Sequence, residues 1–237
     1  MNATSQRLKN TEREVSLPVE PDRQGDAQDG VRPPSPKAAL TRQRLLDAAK
    51  EVFEEDGFFD ARISDISARA ALSHGTFYTY FSSKPEIFRE VALKVEEALG
   101  APMSTVILDR SSTAVPRDRL RNAIRLYLER YRDEAKIMGV IEQVARHDPV
   151  LQAARVEHQA AERALVASSI GDLQRHGMVD PNLNPEIVSD ILGSMMGRFP
   201  EMWLTEGRLD CDFDDGVEHL TIIFINALQL DGGGSPP

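Results

Sequence analysis

Apolar residues recur every three or four positions along most of the chain, the period of a helix with one buried face. The first run follows Thr41, which we expect to cap the helix, and stops at Gly57, since glycine readily takes the left-handed conformation that ends a helix. Its members are Leu45, Ala48, Ala49, Val52 and Phe53. Between the polar ends of the chain no run alternates with period two between turns, so the sequence predicts an all-α protein of about nine helices.

Short helices with clear capping signals are predicted before residue 85. Ser64 is placed to cap the second helix and Ser73 the third, with a tight turn at residues 71–72 between them. Ser83 and Glu86, three positions apart, form a capping box for a longer fourth helix. Two short helices joined by a tight turn are therefore expected just before a longer one.

Beyond residue 100 the pattern predicts a loop over residues 100–116 and then five more helices. Asp148 is placed to cap the longest of them. The last two helices are predicted over approximately residues 185–206 and 212–230, and Pro200 is expected to kink the first of these two.

The two ends of the chain differ in composition from the middle. Residues 1–36 contain five prolines and few aliphatic side chains, which predicts a disordered tail, and residues 231–237 predict a short frayed end. The remainder divides into an N-terminal domain of short helices over residues 37–85 and a second helical domain over residues 86–230.

The net charge of -10 is unevenly distributed. Residues 1–85 hold 12 Lys and Arg against 13 Asp and Glu, whereas residues 86–237 hold 16 against 25. Residues 31–44 contain four basic residues and no acid: Arg32, Lys37, Arg42 and Arg44. Because DNA affinity depends on local neutralisation of phosphates, the acidic total does not exclude a nucleic-acid binder.

Composition and motifs argue against an enzyme or a membrane protein. No apolar run reaches the roughly 18 residues of a membrane span, and the first 30 residues do not resemble a signal peptide, so we expect a cytoplasmic protein with no membrane partner. Cys211 has no cysteine partner, and none of the five histidines has a metal-type partner at helical spacing. Phosphate-binding glycine loops, nucleophile elbows and HExxH motifs do not occur in the sequence. We therefore expect no catalysis, no metal and no cofactor.

Residues 62–81 have the layout of a DNA-reading helix-turn-helix. If Phe77 and Phe81 pack inward, the opposite side of the second helix presents hydrogen-bonding groups. These outward candidates are His74, Thr76, Tyr78, Thr79 and Tyr80.

Three stretches resemble the signature of the TetR family of transcriptional regulators: residues 66–71 (ISARAA), 72–81 (LSHGTFYTYF) and 83–88 (SKPEIF). The resemblance covers about residues 41–91 and implies a repressor that binds a palindromic, double-stranded operator as a homodimer. The chain departs from the family pattern at His74, where many members have lysine or arginine.

The resemblance also implies roles for individual residues. At the base edges of a major groove it would place Ser73, His74, Gly75 and Thr76. As phosphate contacts it implies Tyr78, Tyr80 and Lys84, together with Ser64 at the amino end of the second helix. Half-buried packing remains an alternative for the two tyrosines and a solvated charge for Lys84. The basic segment 32–44 either reaches the DNA or is only a solvated tail.

The end of the chain is suited to dimerisation. Residues 220–230 are apolar almost all round, so this helix needs cover on two sides, and two glycines four positions apart in the preceding helix permit close approach. The resemblance implies that the last two helices of each subunit form a four-helix bundle in a dimer. The alternative is that the apolar helix is protected from solvent within the core of a monomer. The candidate interface residues are Gly193, Gly197, Leu220, Phe224 and Leu228.

Large, adaptable side chains in the second domain are candidates for an effector pocket: Tyr127, Tyr131, Met138, Met195, Met196, Phe199 and Trp203. They favour a small-molecule effector of apolar or lipid-like character, although ordinary core packing is the alternative for each. The fourth helix, over residues 83–99, would then be the lever between pocket and DNA. A helical protein-interaction module without DNA binding is the remaining alternative function.

Overall fold

The computed structural model of the chain describes residues 35–108 and 116–230. These residues form nine α-helices and one π-helical turn, with no strand among them, so the all-α expectation is confirmed for this part of the chain. The elements in order are α1 (Pro36–Asp60), α2 (Ile63–Arg69), α3 (His74–Tyr80), α4 (Lys84–Leu108), α5 (Pro116–Asp133), α6 (Ala135–Ala145), α7 (Pro149–Arg175), α8 (Pro185–Pro200), the π-helical turn (Glu201–Thr205) and α9 (Phe213–Leu228).

The first helix begins earlier than the sequence suggested. It starts at Pro36, so Thr41 lies inside the helix, where its hydroxyl donates to the Lys37 carbonyl (2.9 Å), and is not the cap. Proline suits this start because its missing N–H has no partner in the first turn of a helix. Gly57 does take a positive φ of 71°, but the chain resumes a helical path to Asp60. The predicted disordered tail falls, except for its last two residues, outside the described ranges, as does the predicted frayed end.

A hydrogen-bonded turn sets the angle between α2 and α3. The amide of Leu72 donates to the Ser67 carbonyl (2.9 Å) and that of Ala71 to the Ala68 carbonyl (3.0 Å). This is the pattern of a Schellman motif, with Ala71 at φ 52° in the position that usually holds glycine. Ser73 then caps α3, as predicted, by accepting from the amide of Thr76 (3.1 Å).

The fourth helix is longer than predicted, because packing overrides its helix-breaking residues. Gly100 and Pro102 led us to expect a loop, but α4 continues through both to Leu108. Leu99 and Pro102 are both buried, and this burial favours the helix over the local preference for a turn. The rest of the predicted loop, residues 109–115, lies outside the described part of the chain.

Two groups of buried apolar side chains hold the helices together. One joins α1, α2 and α3 to α4 and α6, with Phe53, Phe77, Phe88 and Ile141 fully buried. The other joins α5 to α8 and α9, around Ile124, Leu128 and Trp203. The core beneath the helix-turn-helix thus extends without a break along α4 into the second half of the chain. No described helix is both long and apolar enough to cross a membrane.

Candidate functional site

The third helix has one buried and one open side. Phe77 and Phe81 are 0% and 1% exposed and anchor α3 against α1 and α4, as the sequence predicted. The cap at Ser73 satisfies the Thr76 amide at the amino end of the helix. The exposed side presents Ser73, His74, Gly75, Tyr78 and Thr79. A short helix held rigidly from behind and open in front can enter a major groove.

Several contacts join the residues of this open side to one another, and Tyr78 also meets the buried ring of Phe77 edge to face at 5.4 Å. The rings of His74 and Tyr78 meet edge to face at 5.3 Å, and Tyr78 is 52% exposed. The Thr79 hydroxyl donates to the Gly75 carbonyl at 3.4 Å. Thr76 and Tyr80 are only half-buried, and the hydroxyl of Thr76 lies 2.8 Å from that of Ser73.

Gly75 has no internal reason to be glycine. A Cβ at this position would meet only the Ser73 Oγ, at an ordinary 3.8 Å, and the backbone is helical. Glycine inside a helix costs about 1 kcal/mol relative to alanine. Packing inside the protein therefore does not require glycine here, and the backbone of α3 is left open to the outside at this position.

The structure does not give Ser64 the capping role expected for it. The N-cap of α2 is Arg62, and Ser64 lies inside the helix with its hydroxyl 3.2 Å from the Asp65 carboxylate, to which it donates. A phosphate approaching this hydroxyl would meet the negative charge of Asp65. Arg62, which sequence reasoning overlooked, is exposed beside the amino end of α2, and its position one residue before a short helix is the signal that could have found it.

Lys84 is the clearest departure from expectation. Its ammonium donates to three carbonyls at the end of α1 and in the connection to α2, those of Phe58 (2.7 Å), Phe59 (3.0 Å) and Ala61 (2.8 Å). It also lies 4.8 Å from the centre of the Phe58 ring. Burial lowers the pKa of Lys84, although Asp60 acts in the opposite direction. Since an ammonium has three N–H groups, these carbonyls engage all of them, and the phosphate contact expected for Lys84 stays a prediction that this geometry does not favour.

Two basic residues of the segment expected to reach the DNA are instead used within the fold. Arg42 forms a bidentate pair with Glu90 of α4 and lies over the Phe81 ring, 4.6 Å from its centre. Arg44 donates to the Ala70 carbonyl at 2.5 Å, at the end of α2. From Pro36 onward this segment is helix rather than a tail, and these contacts fix α1 against the helix-turn-helix.

A bidentate ion pair connects the start of α4 to the start of α7. Arg89 donates through Nε and Nη2 to the two carboxylate oxygens of Asp148, at 2.9 and 3.2 Å. Asp148 also caps α7, as predicted, by accepting from the amides of Val150 and Leu151. Burial alone would raise the pKa of Asp148, but these hydrogen bonds and the charge of Arg89 hold it below its usual value.

The seven candidate pocket residues do not surround one cavity. Tyr131, Met138, Met196 and Trp203 are buried, and the Tyr127 hydroxyl donates to the Met196 carbonyl at 3.1 Å. Burial raises the pKa of both tyrosines, that of Tyr131 to about 12. Met195 and Phe199 lie on another side of α8 and line an open groove of about 630 Å³ between α8 and α9.

The candidate interface residues also divide into two sets. Gly193 and Gly197 are exposed, and a Cβ at Gly197 would meet nothing within 4 Å. Leu220, Phe224 and Leu228 are only 4%, 3% and 6% exposed, because this stripe of α9 packs into the core of its own subunit, although Leu220 also lines the groove; their assignment to the interface stays a prediction that this burial does not favour. The exposed apolar residues of these two helices are Ile187, Ile191, Ile222 and Ile223, at 38 to 59% exposure. We call them, with the groove, the α8–α9 face.

Comparisons with known proteins agree with this geometry. Residues 45–91 match the family model described as bacterial regulatory proteins, tetR family. The transcriptional regulator UidR of Escherichia coli strain K12 is 26% identical over 156 residues, 66% of this chain and 78% of UidR. The transcriptional repressor AcnR of Corynebacterium glutamicum is 25% identical over 163 residues, 69% of this chain and 81% of AcnR.

Solved structures share the fold at low sequence identity. A protein of Mesorhizobium loti assigned to the TetR-family regulators superposes with a TM-score of 0.68 at 21% identity, covering 79% of this chain and 96% of that one. FadR of Bacillus subtilis, solved with stearoyl-CoA, gives 0.64 at 15% identity, over 78% and 98% of the two chains. A regulator of Saccharomonospora viridis, solved with choline, gives 0.63 at 20% identity, over 79% and 96%.

Proposed function

We propose that this chain is a member of the TetR family of transcriptional regulators and a ligand-responsive repressor that binds a palindromic operator as a homodimer. The observation that carries the proposal is the open side of α3. It is capped, backed by two fully buried phenylalanines and lined with hydrogen-bonding groups that no other element covers.

On the open side of α3 we assign base contacts to Ser73, His74, Gly75 and Thr76. Tyr78 is best placed to donate to a phosphate because it is exposed, whereas Tyr80 presents only part of its ring. Thr79 lies on the same exposed side. We add Arg62 as a phosphate contact, because a guanidinium beside the amino end of α2 provides charge and directional donors together. Its donors, unlike those of Lys84, are not shown bonded to backbone carbonyls of the α1–α2 connection.

Dimerisation through the α8–α9 face supports this mode of binding. One helix-turn-helix reads one half-site, so affinity for an operator is obtained by coupling two subunits. Four exposed isoleucines with a groove beside them form an apolar patch that a second copy would cover. Exposed glycines at 193 and 197 allow a neighbouring helix to approach closely.

Control by a small molecule would act through α4. Only three residues separate this helix from the end of α3, and it packs against α5 and α7, so a change in its position reaches both halves of the fold. Relatives of the same fold have been solved with stearoyl-CoA and with choline, and AcnR is a repressor. A ligand that binds one position of α4 more tightly shifts the equilibrium toward it and releases the operator. The proposed activity is binding in the cytoplasm, without catalysis.

DNA binding by a variant of the open side tests this function. Promoter DNA flanking the protein's own gene is titrated with the native chain and with Tyr78→Ala over a range of salt concentrations. We expect tight, salt-dependent binding that weakens roughly ten-fold in the variant, because one phosphate contact is lost. Leu126→Ala is the control, since Leu126 is 44% exposed on α5, away from the proposed contact surface. Weak binding that is identical in all three proteins would contradict the function.

A further inference from the structure

The exposed side of α8 carries one acid and one base, about two helical turns apart. Asp190 and Arg198 both line the groove of the α8–α9 face, which is otherwise lined mainly by apolar side chains. Their side chains are 67% and 45% exposed. Ser194 lies midway between them and lines the same groove. The groove therefore has a negative end, a positive end and a small residue at its centre.

Each of these two charges has partners in its own chain but is not enclosed by them. Arg163 of α7 lies 3.1 Å from the Asp190 carboxylate. The guanidinium of Arg198 lies 2.6 Å from Glu201 and 3.0 Å from Glu206. Because a carboxylate has two accepting oxygens and a guanidinium five N–H groups, both exposed side chains can take a further partner of opposite charge.

Two-fold symmetry limits how two copies of α8 can face each other. If a residue of one copy faces a second residue of the other, the reverse pair forms as well. A parallel arrangement would bring Asp190 against Asp190 and Arg198 against Arg198, and like charges repel. An antiparallel arrangement centred on Ser194 brings Asp190 of each copy level with Arg198 of the other, because both lie four positions from the centre. The charges of α8 therefore favour this one register.

The residues near the centre of this register allow the two helices to come close. Ser194 is small, and its hydroxyl is used within α8, where it donates to the Asp190 carbonyl at 2.7 Å. Gly197 leaves open space beside it, since a Cβ there would meet nothing within 4 Å. The distance between packed helices depends on the side chains at the contact, so small residues at the centre let the longer charged side chains reach each other.

We propose that two copies of this chain pair through antiparallel α8 helices that cross at Ser194, with Asp190 of each copy against Arg198 of the other. The proposal rests on the proposed function for the homodimer itself and adds its register and its ionic contacts. Each dimer contains two such pairs, one on either side of the crossing. At each pair the charges alternate in sign, from Arg163 and Asp190 of one copy to Arg198 and Glu206 of the other. Alternation of this kind selects the partner and the register.

The same arrangement covers the apolar part of the α8–α9 face. Ile191 of α8 and Ile223 of α9 are exposed and line the groove together. A two-fold axis through the α8 crossing brings the groove sides of the two copies together, which removes these isoleucines from water. Apolar burial then stabilises the dimer, while the charged pairs at its edge fix how the copies meet.

Charge reversal in the full-length protein tests the ionic pairs, with the dimer dissociation constant measured by sedimentation equilibrium without DNA. Asp190→Arg places base against base in its own homodimer, and Arg198→Asp places acid against acid. We expect each homodimer to dissociate at least roughly ten-fold more readily than the native one. An equimolar mixture of the two variants restores both attractive pairs, so the mixed dimer should be at least roughly ten-fold tighter than either homodimer. Disturbed contacts within a subunit are the same in pure and mixed samples.

Cysteine cross-linking tests the crossing point. Each variant also carries Cys211→Ser, so that the introduced cysteine is the only one in the chain. Ser194→Cys should form a covalent dimer on mild oxidation, because the two copies of this position meet within the roughly 4.4 to 6.8 Å between Cα atoms that a disulfide requires. Ile187→Cys is the matched control, since it is exposed on the same side of α8 but its two copies would lie about 21 Å apart along the helix axis.

Asp47→Arg makes the same change of charge on an exposed acid of α1 and should leave the dissociation constant unchanged. Circular dichroism establishes that each variant is folded. A mixture that dimerises no better than the separate variants, or cross-linking of Ile187→Cys in place of Ser194→Cys, would overturn the proposal. If the native chain is dimeric and binds its operator in that case, only the register is contradicted, whereas a native chain that stays monomeric would contradict the proposed function as well.

Discussion

Replacing Lys84 with methionine keeps the aliphatic stem of the side chain and removes its three hydrogen bonds. In the native protein these bonds join the first residue of α4 to the carbonyls of Phe58, Phe59 and Ala61. They hold the α1–α2 connection, where the helical path is already interrupted at Gly57, against the start of α4. We therefore expect the Lys84→Met variant to lose stability.

The magnitude follows from the exposure of the three carbonyl-bearing residues. Ala61 is 2% exposed and Phe58 half-buried, so their carbonyls find little water after the substitution, whereas Phe59 is 62% exposed and its carbonyl can be solvated. Losing two hydrogen bonds to a charged donor, with little water to replace it at the carbonyls, lowers the free energy of unfolding by about 3 kcal/mol. Loss of the ammonium above the Phe58 ring lowers it by about 0.5 kcal/mol more. Release of the ammonium from partial burial offsets part of this, which leaves about 2 to 3 kcal/mol.

Urea unfolding monitored by circular dichroism measures this loss. Lys94→Met is the control, because Lys94 is an exposed lysine of the same helix that donates only to Gln43 (2.9 Å), and its loss should cost less than about 0.5 kcal/mol. Lys84→Arg should also be destabilised, since the planar guanidinium cannot aim its donors at three carbonyls around one point.

A phosphate contact at Lys84 would give the opposite pattern. Lys84→Met would then unfold like the native protein, Lys84→Arg would retain operator binding, and the slope of binding against salt would fall by about one in Lys84→Met. That combination would refute the positioning role that we derive from the structure.

Three further changes have defined outcomes. Gly216→Ala should destabilise the protein by about 1 to 3 kcal/mol, because its Cβ would lie 2.5 Å from the buried ring of Trp203, and thermal melting measures it. Asp148→Asn keeps the cap of α7 but loses the charge pair with Arg89, about 1 kcal/mol. The pKa of Asp148 is lower in the folded protein than its ordinary value of 3.8. Urea unfolding should therefore show the full difference in stability between the native chain and the variant above pH 3.8, and this difference should disappear as the pH falls through the lower pKa of the folded state. Ile223→Glu should convert the dimer to monomer in sedimentation, because it places a charge on the α8–α9 face.

Matched variants separate these effects from general damage. Gly171→Ala should be neutral or stabilising, since its Cβ would have an ordinary 3.6 Å contact, and equal losses in both alanine variants would contradict the steric argument. Leu126→Glu places the same charge on exposed α5 and should leave the assembly intact. An Asp148→Asn difference that persists at the lowest pH would contradict the ionic interpretation.

The local signals in the sequence predicted several features of the described residues correctly. Ser73 caps α3, Asp148 caps α7, and Phe77 and Phe81 face inward, because each depends on residues within one or two turns. Thr41 and Ser64 were assigned as caps and are not, since a suitable side chain does not exclude a helix that begins earlier. Which of several candidates caps a helix is decided by where the packed segment begins.

Features that depend on distant contacts could not be predicted. The all-apolar sequence of α9 does not reveal which side faces its own core, so Leu220, Phe224 and Leu228 were placed in the interface although they are buried. Lys84 acquires its three carbonyl partners only when the end of α1 meets the start of α4. The buried pair of Glu96 and Arg155 joins residues 59 positions apart, and no local pattern indicates it.

The central claim, that two copies of α3 read a palindrome, is tested most directly by footprinting the native protein on the promoter DNA flanking its own gene. The account predicts one protected region containing two inverted half-sites with centres about one helical turn of DNA apart, or a multiple of it. Tight protection of a single half-site without inverted symmetry, or no protection at protein concentrations that saturate the DNA, would contradict it.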